Sequence, residues 1–165
     1  MKSKKIAFLG IMAAFALTLS YLELLLPPIS AAVPGIKMGL ANIVVIFVLY
    51  RFGSREAAAV SAIRVIVAAL LFGSLMSFLY SIAGAALSFI VMLLLKQTCR
   101  FSEVGVSAVG GITHNAAQIL VAAFMFDTPQ IWYYMPILAL TGIVSGLLVG
   151  VAGAFSVKRL EKIKF

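Results

Sequence analysis

At 165 residues, 64% of them hydrophobic and 11% charged, with a mean hydropathy of +1.17, the chain is far too apolar for a soluble domain of its size. Its net charge of +8 does not point to nucleic acid, because the basic residues stand in small groups at the ends of apolar runs rather than along one face. A bilayer-spanning helix takes roughly 20 apolar residues, so about six of them use most of the chain and predict a single all-α polytopic membrane domain over residues 1–165.

The amino-terminal stretch MKSKKIAFLGIMAAFALTLSYLELLLPP begins with lysines as a signal peptide does. Its apolar run exceeds a ~7–15-residue signal core, however, and no small-x-small cleavage site precedes the prolines. A retained first span over residues 6–26 follows. Ala7, Gly10 and Ala14 share one face of its cytoplasmic half, a small-residue surface that another helix can approach closely, and Glu23 stands near its outer end. The loop PPISAAVPGIK, residues 27–37, carries two proline sites that forbid continuous helix. It reads as an interfacial connector or as a lid over a polar cavity. A second span over 36–50 has Lys37 and Asn42 near its outer end, and a third over 57–72 places Arg64 near its middle. Both are short for full crossings and require tilt, local thinning or burial among longer neighbours.

The fourth span, 75–95, carries a stripe of Ser74, Ser77, Ser81, Gly84 and Ser88, and the sixth, 131–157, aligns Gly142, Gly146, Gly150 and Gly153. Both stripes predict close packing inside the bundle. In the fifth span, 104–126, Ser107, Gly111, His114, Asn115, Gln118 and Ala122 recur at helical spacing, a polar stripe that lipid cannot accommodate. Orientation follows from the basic residues. With the amino terminus inside, Lys2, Lys4, Lys5, Arg51, Arg55, Lys96, Arg100, Lys158, Arg159, Lys162 and Lys164 fall on the cytoplasmic side, leaving Lys37 outside and Arg64 within. The positive-inside rule then puts both termini in the cytoplasm and the aromatic group Trp132, Tyr133 and Tyr134 at the outer interface.

A charge at the centre of a span costs at least ~2.5 kcal/mol, so Arg64 must face protein, water or ligand. By depth, Glu23, Lys37, Asn42, Arg64, His114, Asn115 and Gln118 gather in one polar zone open toward the outer half. That zone is either an internal network, with Glu23 paired to Lys37 or Arg64, or a cavity for a small polar, anionic or zwitterionic molecule. Arg64 suits an anchor for carboxylate or phosphate, since guanidinium offers bidentate donors and keeps its proton. Catalysis is poorly served. Glu23, Glu56, Glu103, Asp127 and Glu161 are scattered singly, and no glycine-rich phosphate loop or nucleophile motif occurs. With Cys99 and His114 each alone in kind, no metal-ligand spacing exists. The chain is expected to be no enzyme, to hold no metal or cofactor, and to draw any ATP-driven work from another subunit.

The segments PGIKMGLANIV (34–44), RVIVAALLFGS (64–74), FLYSIAGAALSF (78–89), GGITHNAAQ (110–118) and TGIVSGLLVG (141–150) together resemble the Gx transporter family, whose members are often labelled heptaprenyl diphosphate synthase component I. That family is similar to the S components of energy-coupling factor (ECF) transporters. These are six-helix proteins of prokaryotic plasma membranes that capture a vitamin-like solute from outside. The resemblance implies an S-component-like bundle, a docking role for Ala7, Gly10 and Ala14 toward a transmembrane coupling subunit served by two cytoplasmic ATPases, and a lid role for residues 27–37. The label implies a second reading, a non-catalytic accessory subunit of isoprenoid or quinone synthesis. Prenyl diphosphate synthases resemble one another in aspartate-rich DDxxD motifs, and none occurs in this chain.

Overall fold

The computed structural model describes residues 2–25, 39–126 and 129–160. These form six α-helices: α1 (Lys2–Leu25), α2 (Asn42–Arg51), α3 (Ser54–Phe72), α4 (Leu75–Gln97), α5 (Glu103–Phe126) and α6 (Met135–Leu160). A 3₁₀ segment, Pro129–Tyr134, leads into α6. The apolar runs of the sequence therefore became helices, and the main differences lie at their starts. The sixth run begins as 3₁₀ through Trp132 and Tyr134 and becomes α-helical only at Met135. Pro136 then sits in the first turn, where its missing N–H costs nothing.

Among the described residues four segments are long and apolar enough to cross a membrane: Ser3–Leu25, Leu75–Gln97, Glu103–Phe126 and Gln130–Arg159. The other two helices depart from that pattern. α3 has 19 residues but carries Arg55, Glu56 and Arg64. α2 has ten, a length of roughly 15 Å against the ~30 Å of a hydrocarbon core. The run over 36–50 thus yields a half-length helix beginning at Asn42. From Val44 to Leu49 every α2 side chain is buried, as expected for a helix that is apolar all round and enclosed by neighbours. α1, α3 and α6 surround it, and α5 touches it. The turn between α2 and α3 is closed by Val48, whose carbonyl accepts from the N–H groups of Phe52 and Gly53. Gly53 there has φ +115°, open to glycine at little cost.

Glycines set the closest approaches. A Cβ on Gly142 would lie 2.7 Å from the Gly111 carbonyl oxygen, one on Gly146 2.6 Å from that of Ser107, and one on Gly150 2.8 Å from Val104 Cα. The glycine face of α6 is therefore pressed against α5 backbone to backbone. Gly153 extends the same face to α2, meeting Ile46. Gly110 of α5 makes room for Met92 of α4, whose Sδ would lie 2.7 Å from a Cβ there.

Polar contacts tie the helix ends. Lys5 Nζ lies 2.5 Å from Glu56 Oε1, joining α1 to α3. Lys96 Nζ donates to the Leu49 carbonyl at 2.6 Å, joining α4 to α2, and stands 4.9 Å from the Tyr50 ring centroid. These basic groups thus meet at one end of the bundle, the end that holds the start of α3 and the end of α2.

Candidate functional site

Starting from that end, Arg64 lies roughly 15 Å along α3, Asn42 roughly 14 Å back along α2, and His114 roughly 16 Å along α5. Three separate helices therefore bring polar side chains to one level at the middle of the bundle. Arg64 is 5% exposed. Its terminal Nη2 donates to Asn42 Oδ1 over 3.4 Å, a long bond, and its Nε–H has no acceptor among the described residues.

The turn ahead of α2 connects this pair to the rest. Asn42 N–H donates to the Gly39 carbonyl at 2.9 Å, and Gly39 holds φ +79°. Gly39 N–H in turn donates to Glu23 Oε1 from α1. Glu23 is buried and attracts Arg64 electrostatically. A Cβ on Gly39 would fall 2.9 Å from Asn42 Nδ2 and 3.9 Å from His114 Cδ2, so one small turn touches α1, α2 and α5 together.

On α5, His114 Nε2 lies 3.1 Å from Gln118 Nε2, one helical turn away. Both residues are buried, Gln118 completely, and Gln118 Oε1 has no partner among the described residues. The imidazole rests on Gly84 of α4, where a Cβ would come within 2.7 Å of Cε1. Asn115 is engaged elsewhere. Its Nδ2 donates to the Leu138 carbonyl at 2.8 Å and reaches Thr141 Oγ1 at 3.4 Å, fastening α5 to α6.

Of the residues singled out from the sequence, Glu23, Asn42, Arg64, His114 and Gln118 thus form a chain of neighbours through Gly39, while Asn115 is committed to α6. Lys37 and the loop 27–37 lie outside the described residues. Ala7, Gly10 and Ala14 are exposed on α1, and nothing stands within 4 Å of a Cβ at Gly10. Two participants escaped the sequence reading, Gly39 and Gly84. The first lay inside the run read as a span over 36–50, where a lone glycine is a break signal; the second was submerged in the serine stripe of α4.

Two further spaces border this centre. A small polar void between Asn42, Ser107, Gly110 and Ser145 has room for about one water molecule. An apolar groove runs along the seam of α3 and α4, lined by Ala58, Ala62, Ile66, Ile82, Ala85 and Phe89. Among the described residues no three His, Cys, Asp or Glu side chains converge to hold a metal ion.

An all-helical bundle with four membrane-length apolar helices and a charged, buried centre is the build of a membrane-embedded protein. The family described as heptaprenyl diphosphate synthase component I matches residues 12–156, and the chain belongs to that family. The matched region includes the whole Glu23–Asn42–Arg64–His114–Gln118 cluster, whereas Ala7 and Gly10 precede it. A comparison with curated proteins found no match.

Proposed function

We propose that this protein is the solute-binding membrane subunit of an ECF-type, ATP-driven importer, crossing a prokaryotic plasma membrane six times with both termini in the cytoplasm. It is not an enzyme in this reading; it captures a small organic solute from outside in the centre described above. One observation carries the reading. A permanently charged guanidinium is buried at mid-bundle with no acceptor for its Nε–H among the described residues, and Gln118 Oε1, on the α5 residue that pairs with His114, has no donor among them. Buried polar groups are satisfied in the great majority of cases, and each exception asks for a reason. A bound solute offering an acceptor to Arg64 and a donor to Gln118 supplies one.

The remaining features agree. Among the described residues Arg64 donates to Asn42 alone, which leaves its Nε–H to a ligand. The basic residues at one end of the bundle support a cytoplasmic placement of that end. α2, a short helix enclosed by longer ones, and α3, whose Ile63, Ile66 and Leu70 are exposed as lipid-facing side chains would be, complete the six crossings. With no phosphate loop on this chain, the energy comes from partner ATPases through a coupling subunit, and the open small-residue face at Ala7, Gly10 and Ala14 suits its approach.

The test is native mass spectrometry of the purified protein together with solute uptake in cells. Wild type is expected to retain a small molecule, and Arg64→Ala to insert normally but lose at least tenfold in retention or uptake. A charge-assisted hydrogen bond worth ~1.5–3 kcal/mol sets that factor. Uptake at the wild-type level in the variant refutes the assignment. The family description favours a second reading, an accessory subunit of heptaprenyl diphosphate synthesis. Copurification with a soluble prenyltransferase, with no retained solute, would support it instead.

A further inference from the structure

Among the described residues, Glu23 and Arg64 are the formally charged side chains that are buried. They approach the same short turn from opposite partners. Glu23 takes the N–H of Gly39, and Arg64 donates to the side chain of Asn42, while Asn42 N–H closes back on the Gly39 carbonyl at 2.9 Å. That turn opens α2, whose first N–H groups carry the positive end of a helix dipole, so the Glu23 carboxylate faces two sources of positive charge.

We propose that Glu23 is a resident counter-charge for Arg64, so that the centre admits a solute neutral overall, zwitterionic or uncharged, and turns away a simple anion. This rests on the solute-binding reading above and narrows it. A free carboxylate or phosphate entering the site would find the guanidinium already compensated and would meet Glu23 as a like charge. A zwitterion or an amide satisfies both sides: its carbonyl or carboxylate oxygen accepts from Arg64 Nε, and its N–H or ammonium group faces an acceptor such as Gln118 Oε1. Gly39 keeps this arrangement compact, since any side chain there would strain the positive φ and strike Asn42.

The test is chemical rescue in the full-length protein purified in detergent, with sodium acetate and acetamide as probes at fixed ionic strength. Glu23→Ala leaves Arg64 uncompensated beside a space of about carboxylate size. Acetate is expected to raise the unfolding midpoint of Glu23→Ala saturably, by roughly 4 °C or more, and acetamide not to. Acetate should move neither wild type nor the Glu23→Ala/Arg64→Gln double variant. The proposal is overturned if acetate stabilises wild type as much as Glu23→Ala, if it acts equally on the double variant, or if it leaves Glu23→Ala unmoved. Should Glu23→Ala fail to fold, the midpoints of Arg64→Gln and Glu23→Gln/Arg64→Gln decide. A double variant more stable than Arg64→Gln supports the counter-charge, and one no more stable overturns it. These readouts need no transported solute, so they stand apart from the uptake test, which alone judges whether the centre binds cargo.

Discussion

Replacing Gly84 by alanine tests whether the imidazole of His114 is seated by the glycine beneath it. A methyl carbon on Gly84 falls 2.7 Å from Cε1 and 2.8 Å from Nδ1 of His114, against about 3.5–4.0 Å for an unstrained contact. The ring must retreat by roughly 1 Å, and its neighbour Gln118, 3.1 Å away and wholly buried, restrains that movement. Overpacking of this kind costs ~1–3 kcal/mol. Disturbing a buried polar pair adds ~1–3 kcal/mol, and the better helix propensity of alanine returns ~1 kcal/mol. The balance is a loss of about 1–5 kcal/mol and a fall in the unfolding midpoint of at least roughly 2 °C. Thermal unfolding of the purified protein in detergent reads it directly. The same substitution in a His114→Ala background should be neutral or stabilising, because the obstacle is gone. Gly84→Ala at or above the wild-type midpoint, or an equal cost in both backgrounds, would refute the reasoning.

Asn115→Ala should cost about 0.5–1.5 kcal/mol through the lost bond to the Leu138 carbonyl, which still accepts from Thr141 Oγ1, and lower the midpoint while affecting solute affinity less than Arg64→Ala does. Equal losses of affinity in the two variants would place Asn115 against the solute after all. Gly10→Leu adds a side chain where no atom stands within 4 Å, so folding and solute retention should be unchanged while copurification of a coupling subunit is lost; a complex that survives the change removes the docking role from this face. The hydrogen bond from Lys5 holds the Glu56 carboxyl below the usual carboxylate range. Its stabilising effect is therefore present above the ordinary value of about 4.3 and disappears as the pH falls through the lowered one. The small gap in midpoint between wild type and Glu56→Gln should accordingly narrow on acidification and shrink with added salt, and a gap that does not narrow as the pH falls from about 7 to about 3 would contradict the pairing.

Most of the helical framework could be read from the order of residues. Lipid offers no partner to a bare N–H or carbonyl, so a spanning segment is a helix or a barrel strand, and unbroken apolar runs without strand-like alternation read as helices. Hence the run over 75–95 corresponds to Leu75–Gln97 and that over 104–126 to Glu103–Phe126. Helical spacing likewise placed His114 and Gln118 one above the other, and the glycines of α6 on one face. Other features depend on contacts between residues far apart in the chain. α2 starts at Asn42 rather than several residues earlier, in a turn where Gly39 adopts φ +79° and binds Glu23 sixteen positions before it. No local pattern encodes that bond. The same holds for the division of labour on α5, where adjacent polar residues look equivalent in sequence. Asn115 is drawn to the Leu138 carbonyl because α6 lies against its side of the helix, and His114 meets Gly84 because α4 lies against the other. Periodicity tells which residues share a face; only the packing of one helix on another determines what that face meets.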